Sequence, residues 1–403
     1  MRRRTVGLFG APAHRGRLYL AAIIVLVAAF TILGTLRFAG QQPVTANPTL
    51  AQLTSPTVNS LPNTRLEVLV DDVQAPTSLA VAADGTILVT AGGDLSVLGE
   101  DGRLDRTGLS LPDMVDDGLV ALALANDFQT SRRAFVCYRT DTEMRVTALE
   151  LSTQFDRTYV EPALVTGIPL QLEGGQGCQL EVGPDGNLYI ATSDGGDPRA
   201  PQDLAALGGK ILRIDPDTRQ APADNPFADH SHTLSRLVYS YGHRDVAGLA
   251  WNSAGQLYAV DRGPDREDEI NLIVAGGNYG WDPASASTTS YQTDGVPMTD
   301  LGIAHARPAA WNSGSTAPGL GPAVFVAGEQ WGMLAGDLAV ANTGGPRVLF
   351  MQVTGEIVGE PIMLTDTDVV GQSIALAQGP DGALYAFGAS NGVDRLVRLS
   401  VID

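Results

Sequence analysis

The chain has 403 residues with 26 basic and 45 acidic side chains, which gives a formal charge of −19. The first 40 residues hold six arginines and no acid, so the rest of the chain carries a formal charge of −25. A surface this acidic repels nucleic acid and anionic lipid headgroups, and it suits Ca²⁺, neutral ligands or cationic partners. We therefore expect no nucleic-acid partner.

The N-terminus combines a basic tail, residues 1–17, with an uncharged apolar run, residues 18–36. At about 1.5 Å per residue, such a helix is about 28 Å long, close to the thickness of a bilayer core. Basic residues before the run predict a cytoplasmic N-terminus and a body outside the cytoplasm. The sequence thus predicts a single-pass signal anchor in the cell membrane. The alternative is a cleaved signal peptide and a secreted protein.

Residues 37–63 are rich in Pro, Thr, Gln, Asn and Ser, which is typical of a flexible linker. The folded body is then residues 64–403. Its two cysteines, Cys137 and Cys178, are the only ones in the chain. An oxidising compartment permits a disulfide between them, and two separate buried thiols are the alternative.

One pattern recurs six times from Pro76 onward: an apolar run, a turn that is often Asp-Gly, and a second apolar run. Apolar strands joined by such turns indicate β-hairpins. A spacing of about 30 to 70 residues is typical of propeller blades with inserted loops. We predict an all-β, six-bladed β-propeller, with residues 65–70 closing the last blade. A pair of β-sandwiches is the competing fold.

The most distinctive stretch, residues 261–281, follows the fourth repeat and is predicted to be a long loop. It contains a Gly263-Pro264 turn, the acids Asp268 and Glu269, and the aromatic residues of Asn278-Tyr279-Gly280-Trp281. Backbone carbonyls beside carboxylates form a natural site for a hard cation. The aromatic pair is suited to the wall of a ligand pocket. The alternative is a solvated acidic loop with structural aromatic side chains.

Several motifs in this region resemble the glucose/sorbosone dehydrogenase family. In chain order they are Asp194-Gly-Gly-Asp197-Pro198, Leu207-Gly-Gly-Lys210-Ile-Leu-Arg213-Ile-Asp215, Asp224-Asn-Pro-Phe227, Tyr241-Gly-His-Arg-Asp245 and the Gly263–Trp281 stretch itself. The resemblance covers about residues 64–402. It implies a six-bladed propeller quinoprotein that oxidises aldose sugars with pyrroloquinoline quinone (PQQ) and Ca²⁺.

The resemblance also assigns roles to individual residues. The carbonyls of Gly263 and Pro264 would hold the Ca²⁺ that contacts the quinone, and the position of Asp268 and Glu269 matches acids that bind structural Ca²⁺ in relatives. Arg244, Asp245 and Lys210 would lie at the cofactor, although Lys210 capping a loop is an equal alternative. Tyr279, Trp281 and Gln179 would line the sugar pocket, although Tyr279 and Trp281 also suit a core.

Two departures from the family pattern bear on catalysis. An ungapped alignment places Gly175 where the family has its general-base histidine, and Gln179 where it has an arginine. Glu173 becomes the remaining candidate base, although a carboxylate is a weaker base than an imidazole. Asp245 stands where the family has asparagine, and a carboxylate there would repel an anionic cofactor unless a cation lies between them.

The expected function is therefore oxidation of aldose sugars to lactones outside the cytoplasmic membrane, with electrons passed to an acceptor that the sequence does not name. The alternative is a catalytically degenerate propeller that binds a carbohydrate or a protein partner, since the histidine of the family is replaced by Gly175.

Overall fold

The structure is a computed structural model that describes residues 61–171, 177–285, 291, 293–343, 348–364, 372–390 and 392–402. The predicted anchor, residues 18–36, lies outside this part of the chain, as does nearly all of the predicted linker. Within the described residues, no helix is long and apolar enough to cross a membrane.

The described strands form six main sheets. Strand β1 is Thr64–Val70. The first blade consists of β2 (Pro76–Val81), β3 (Ile87–Ala91), β4 (Asp94–Leu98) and β5 (Leu104–Arg106). The second consists of β6 (Leu119–Leu124), β7 (Arg133–Arg139), β8 (Met144–Leu151), β9 (Thr158–Val160) and β10 (Val165–Ile168). The third consists of β11 (Cys178–Val182), β12 (Leu188–Thr192), β13 (Lys210–Ile214) and β14 (Val238–Tyr241).

The second half of the chain repeats this order. The fourth blade consists of β15 (Val246–Trp251), β16 (Leu257–Asp261), β17 (Glu269–Ile273) and β18 (Trp311–Asn312). The fifth consists of β19 (Leu320–Phe325), β20 (Leu338–Asn342), β21 (Val348–Met351) and β24 (Ile362–Met363), with β22 (Val353–Thr354) and β23 (Ile357–Val358) as a separate hairpin. The sixth consists of β25 (Gln372–Gln378), β26 (Leu384–Ser390) and β27 (Val393–Val401). Helical segments are an α-helical turn, Phe128–Ser131, and 3₁₀ turns at Ala200–Gln202, Leu234–Leu237, Pro283–Ser285 and Glu329–Leu334.

The hairpin turns form where the sequence places Asp-Gly. In the first blade, the carboxylate of Asp84 accepts a hydrogen bond from the backbone N–H of Thr86, and Gly85 has a φ of 88°. A side chain at that φ is strained, so glycine is the favoured residue. The same arrangement recurs in the third blade, where Asp185 accepts from the N–H of Asn187. Local turn chemistry therefore sets the register of these hairpins.

The blades close into a ring. The first strand of each blade contacts the first strand of the next, and β25 of the sixth blade contacts β2 of the first. β1 pairs with β27 in antiparallel register from Thr64↔Val401, so both ends of the propeller sequence share one sheet. Apolar side chains fill the spaces between neighbouring blades. The predicted six-bladed propeller and its closing strand are confirmed, and the β-sandwich alternative is wrong.

A disulfide joins Cys137 of β7 to Cys178 of β11, with the two Cα atoms 6.6 Å apart. Both residues are fully buried. The bond links the second blade to the third, so of the two alternatives left open by the sequence, the disulfide is the one present.

One part of the predicted loop organisation is wrong. Residues 261–281 are not one loop, because Glu269–Ile273 form β17, the third strand of the fourth blade. Glu269 is the first residue of this strand and Asp268 directly precedes it, so both acids are buried instead of lying in a solvated loop.

Candidate functional site

The carboxylate of Asp261, at the end of β16, organises the turn that precedes β15. It accepts hydrogen bonds from the backbone N–H groups of Arg244 (3.2 and 3.3 Å) and Asp245 (2.7 Å), and it contacts Nδ1 of His243 at 3.2 Å. The other ring nitrogen of His243 is 2.9 Å from the hydroxyl of Ser240. His243 is fully buried and stacks on the ring of Tyr279, with centroids 4.7 Å apart. It is therefore a packing residue, and both its ring nitrogens are engaged.

Arg244 presents a guanidinium at the edge of this turn. Its Nη1 donates to the carbonyl of Arg262 at 2.9 Å, and its Cζ lies 6.0 Å from the ring centroid of Trp281. Its Nε is buried and has no hydrogen-bond partner among the described residues. A buried donor without a partner costs free energy, so this guanidinium is suited to an anionic ligand that would accept a hydrogen bond from Nε.

Asp245 is buried and ion-paired. Its Oδ2 accepts from Nη2 of Arg262 at 2.7 Å and from Nε at 3.1 Å. Two bonds to one guanidinium are a strong charge-assisted contact. The negative charge that Asp245 introduces is thus offset within the protein. Its second oxygen, Oδ1, is buried without a partner.

The Gly263-Pro264 turn is held by Asp268. This carboxylate accepts from the N–H groups of Gly263 (3.0 Å), Gly319 (2.7 Å) and Leu320 (2.8 Å). Burial raises the pKa of Asp268, while these backbone donors oppose the shift. No backbone hydrogen bond within the described chain uses the carbonyls of Gly263 and Pro264. Asp268 is therefore a scaffold for the turn, and the two carbonyls remain available to a cation.

Glu269 is buried at the start of β17, and its hydrogen-bond partners differ from those of Asp268. Its Oε1 accepts from the hydroxyl of Thr299 at 2.8 Å, and its Oε2 accepts from the amide of Asn271 at 3.3 Å. Burial raises the pKa of Glu269 to about 8, and the nearby carboxylate of Asp261 adds to the shift. The amide oxygen of Asn271 is buried and unpartnered. These oxygens suit a hard cation, although no cluster of three His, Cys, Asp or Glu side chains occurs among the described residues.

The two aromatic residues predicted to line a sugar pocket are packed inside the protein. Trp281 is fully buried and donates from Nε1 to Oδ2 of Asp194 at 2.8 Å, an oxygen that also accepts from the hydroxyl of Tyr291 at 2.8 Å. Tyr279 is buried, and its hydroxyl donates to the carbonyl of Leu272 at 2.6 Å. Their burial fits the core alternative, and half-buried Tyr291 is the aromatic residue nearer the surface.

Lys210 caps a loop. Its side chain is fully buried, and Nζ donates to the carbonyls of Ala200 (2.5 Å), Pro201 (3.1 Å) and Gly208 (2.7 Å). Burial lowers the pKa of Lys210 to about 7. Three acceptors need three N–H groups, however, and only the ammonium form provides them. Between the two roles that the sequence left open, this geometry favours the loop cap.

Two predicted positions, Glu173 and Gly175, lie outside the described residues. Gln179, on β11, is half-buried and lies on the inner side of the ring. Three residues with structural roles here had no assigned role in the sequence analysis: Asp194, Asp261 and Arg262. The sequence feature that could have indicated a role for Arg262 is its position directly before the Gly263-Pro264 turn.

Comparisons with known proteins show the family of the chain. The family model described as Glucose / Sorbosone dehydrogenase matches residues 73–398. The chain belongs to this family. It is 29% identical to an aldose sugar dehydrogenase of Escherichia coli over 334 residues, which cover 79% of this chain and 88% of that protein. It is 29% identical to quinoprotein glucose dehydrogenase B of Acinetobacter calcoaceticus over 252 residues, which cover 53% of this chain and 52% of that protein.

Solved structures show the same fold. The soluble aldose sugar dehydrogenase of Escherichia coli in its apo form matches with a TM-score of 0.73 and 25% identity, covering 84% of this chain and all of that one. The PQQ-bound aldose sugar dehydrogenase of Streptomyces coelicolor matches with a TM-score of 0.68 and 24% identity, covering 84% of this chain and 99% of that one.

The residues present fit the cofactor and cation that the family implies. Unused carbonyls of Gly263 and Pro264 suit Ca²⁺, and the unpartnered Nε of Arg244 suits a carboxylate. The ion pair between Asp245 and Arg262 removes the repulsion that an unpaired carboxylate would impose on an anion.

Proposed function

We propose that the protein is a PQQ- and Ca²⁺-dependent oxidoreductase that oxidises aldose sugars to lactones. The observation that carries the proposal is the pairing of two free carbonyls, at Gly263 and Pro264, with an incompletely bonded guanidinium at Arg244. Family membership supports the sugar as substrate. The electron acceptor is a separate quinone or soluble carrier outside the chain.

The protein's own residues would act by position and charge. The carbonyls of Gly263 and Pro264 would hold the cation, and Asp268 would keep them oriented through the N–H of Gly263. Arg244 would pair with a carboxylate of the cofactor, above the buried Trp281. When bound, PQQ supplies the electrophilic quinone that accepts hydride. Preorganised contacts of this kind need no rearrangement during the reaction.

Turnover also requires a base for the hydroxyl proton of the sugar. The imidazole of the family is absent at Gly175, and His243 cannot replace it because both its nitrogens are engaged inside the protein. Glu173 is the candidate. Such a base typically contributes about 10²–10⁴-fold to the rate.

The location we propose is the outer side of the cytoplasmic membrane, with residues 18–36 as the anchor. The disulfide between Cys137 and Cys178 supports an oxidising compartment. Protease treatment of intact cells tests this: the body should be cleaved while an N-terminal tag remains protected.

The decisive experiment is a titration of the purified full-length protein with PQQ, with and without Ca²⁺, followed by absorbance. A dye-reduction assay with a panel of aldoses then tests turnover. Saturable, Ca²⁺-dependent binding with sugar-dependent dye reduction is expected. Absence of PQQ binding would contradict the proposal.

A second candidate function follows from the missing imidazole at Gly175: a propeller that binds a carbohydrate or protein partner without oxidising it. Binding of PQQ without reduction by any aldose, together with saturable binding to a glycan array, would favour this alternative.

A further inference from the structure

The first strands of the six blades surround an axial cavity. One end, close to Gln179 and Gly248, has a volume of about 60 Å³. The other end, beyond the level of Gly248, widens to about 300 Å³. The two volumes meet at a common ring of side chains, which consists of Leu79, Leu122, Glu181, Leu249, Ala323 and Leu376.

This ring contains a single group that can ionise. Glu181 lies on β11, and its side chain is half-buried because it faces the cavity. No described hydrogen bond or ion pair involves its carboxyl group. The residues that face it from the other five strands are all aliphatic, so no charged group compensates it. Burial alone raises the pKa of Glu181 to about 8.

The two side-chain amides at the wide end are already engaged. The amide of Asn126 donates to the carbonyl of Gly183 at 2.9 Å. The amide of Gln378 donates to the carbonyls of Ala327 and Gly382, at 2.8 and 3.0 Å. The Nε1 of Trp251, which also lines this end, is buried without a partner among the described residues, but it is a neutral donor. Glu181 is therefore the ionisable group of this cavity that lacks a complement, and burying such a carboxyl costs free energy unless a ligand compensates it.

The residues around Glu181 indicate the chemical class of the ligand. A Ca²⁺ or Mg²⁺ ion needs six or more oxygen ligands, and the ring supplies one carboxylate among aliphatic walls. A ligand with an ammonium group on an apolar body fits both the carboxylate and the aliphatic walls. The carboxylate pairs with the ammonium, and the aliphatic side chains pack against the apolar body. The strongly acidic protein also concentrates cations near its openings.

We propose that the wide end of the axial cavity binds a small organic cation, a primary ammonium with a compact apolar body, and that the Glu181 carboxylate is its counter-ion. This site is distinct from the Arg244–Gly263 site, and it does not depend on the proposed oxidoreductase activity. A volume of about 300 Å³ accommodates a ligand of about ten heavy atoms, at about 30 Å³ each.

The test is calorimetric titration of the full-length protein, in a mild non-ionic detergent, with cyclohexylammonium. Cyclohexanol has the same body without the charge and is the ligand control. Glu181→Gln preserves shape and removes the charge. Glu150→Gln, at an exposed position on β8, removes an equal charge outside the cavity and is the matched protein control.

Saturable binding of cyclohexylammonium at pH 8.5 is expected, at least tenfold tighter than binding of cyclohexanol. Because the carboxylate form is required, lowering the pH to 6.5 should weaken binding about 25-fold for a group with a pKa of about 8. Glu181→Gln should abolish the preference for the cation, and Glu150→Gln should retain it. Equal affinity for cyclohexanol, pH-independent affinity in the unmodified protein, or equal loss in both variants would overturn the proposal.

Discussion

Replacement of Arg262 by methionine tests whether the ion pair with Asp245 makes the site fit for an anion. The carboxylate of Asp245 is buried, and Arg262 supplies its two charge-assisted bonds. Breaking a buried pair by removing one partner costs about 3–5 kcal/mol. Since the side chain of Arg262 is 15% exposed, we expect the lower end, about 3 kcal/mol of unfolding free energy.

Anion binding should weaken as well. The uncompensated carboxylate of Asp245 would repel a bound anion: at an effective dielectric constant of about 20, two like charges within about 10 Å repel by about 1.7 kcal/mol or more, which corresponds to a loss of affinity of at least about tenfold. The assay is the PQQ titration described above, together with denaturant unfolding. The double variant Asp245→Asn with Arg262→Met removes both charges, so it should recover most of the affinity and of the stability.

This double-mutant cycle separates two kinds of failure. If the unmodified protein binds no PQQ, the proposed function fails, and the unfolding measurements still report on the pair. If Arg262→Met and the double variant lose equal affinity and equal stability, Arg262 acts through its packing, and the charge argument is refuted.

Three further predictions concern buried ionisable groups. Ca²⁺ should raise the melting temperature more strongly at pH 8.5 than at pH 6.5, because a cation bound at Glu269 requires the ionised carboxylate. Glu269→Gln should remove this pH dependence and leave the rise due to a cation at Gly263 and Pro264, while Asp265→Asn, in the exposed turn, should retain the pH dependence. Burial raises the pKa of Asp337 to about 6, so the folded state favours the protonated carboxyl; the stability that this form contributes is present at pH 4 and is lost as the pH rises through 6. At pH 8, Asp337→Asn should therefore raise the free energy of unfolding by up to about 3 kcal/mol, measured by denaturant unfolding. A lower unfolding free energy for the variant at pH 8 would contradict this. Lys210→Met should cost about 3 kcal/mol or more, since it leaves three buried carbonyls without a donor, and unchanged stability would refute the loop-cap role.

The fold could be predicted because the turns that define its hairpins are fixed by residues close together in the sequence. Each Asp-Gly turn, such as Asp84-Gly85, fixes one hairpin through a side-chain bond two residues along the chain. Three of the six repeats have this turn, at Asp84-Gly85, Asp185-Gly186 and Asp381-Gly382. Six hairpins of apolar strands bury their faces and remove most exposed strand edges when they close into a ring. The closing strand was predictable because residues 65–70 had no partner elsewhere in the repeat pattern.

The site was less predictable because its contacts depend on register. Asp245 meets Arg262 because Val246 pairs with Asp261 in the β15–β16 ladder, which places the preceding and following residues opposite each other. The sequence does not show this register, so it predicts repulsion between Asp245 and an anionic cofactor unless a cation lies between them. The separate contacts of Asp268 and Glu269 depend on register as well: neighbouring residues at the start of β17 point in opposite directions, so Asp268 reaches Gly319 and Glu269 reaches Thr299.

The final prediction concerns the base. The buried imidazole of His243 is engaged at both nitrogens, and the carboxylate of Asp194 accepts three hydrogen bonds, from Gly196, Trp281 and Tyr291. Neither group is free to accept a proton from a sugar, which leaves Glu173 as the candidate from the family segment.

If turnover occurs, the pH–rate profile should rise through the range of a carboxyl group, near pH 4–5, instead of that of an imidazole near 6.5. Glu173→Gln should then lower kcat by about 10²–10⁴-fold while PQQ affinity stays unchanged. A profile that rises near 6.5, or a Gln variant with full activity, would show that another group takes the proton.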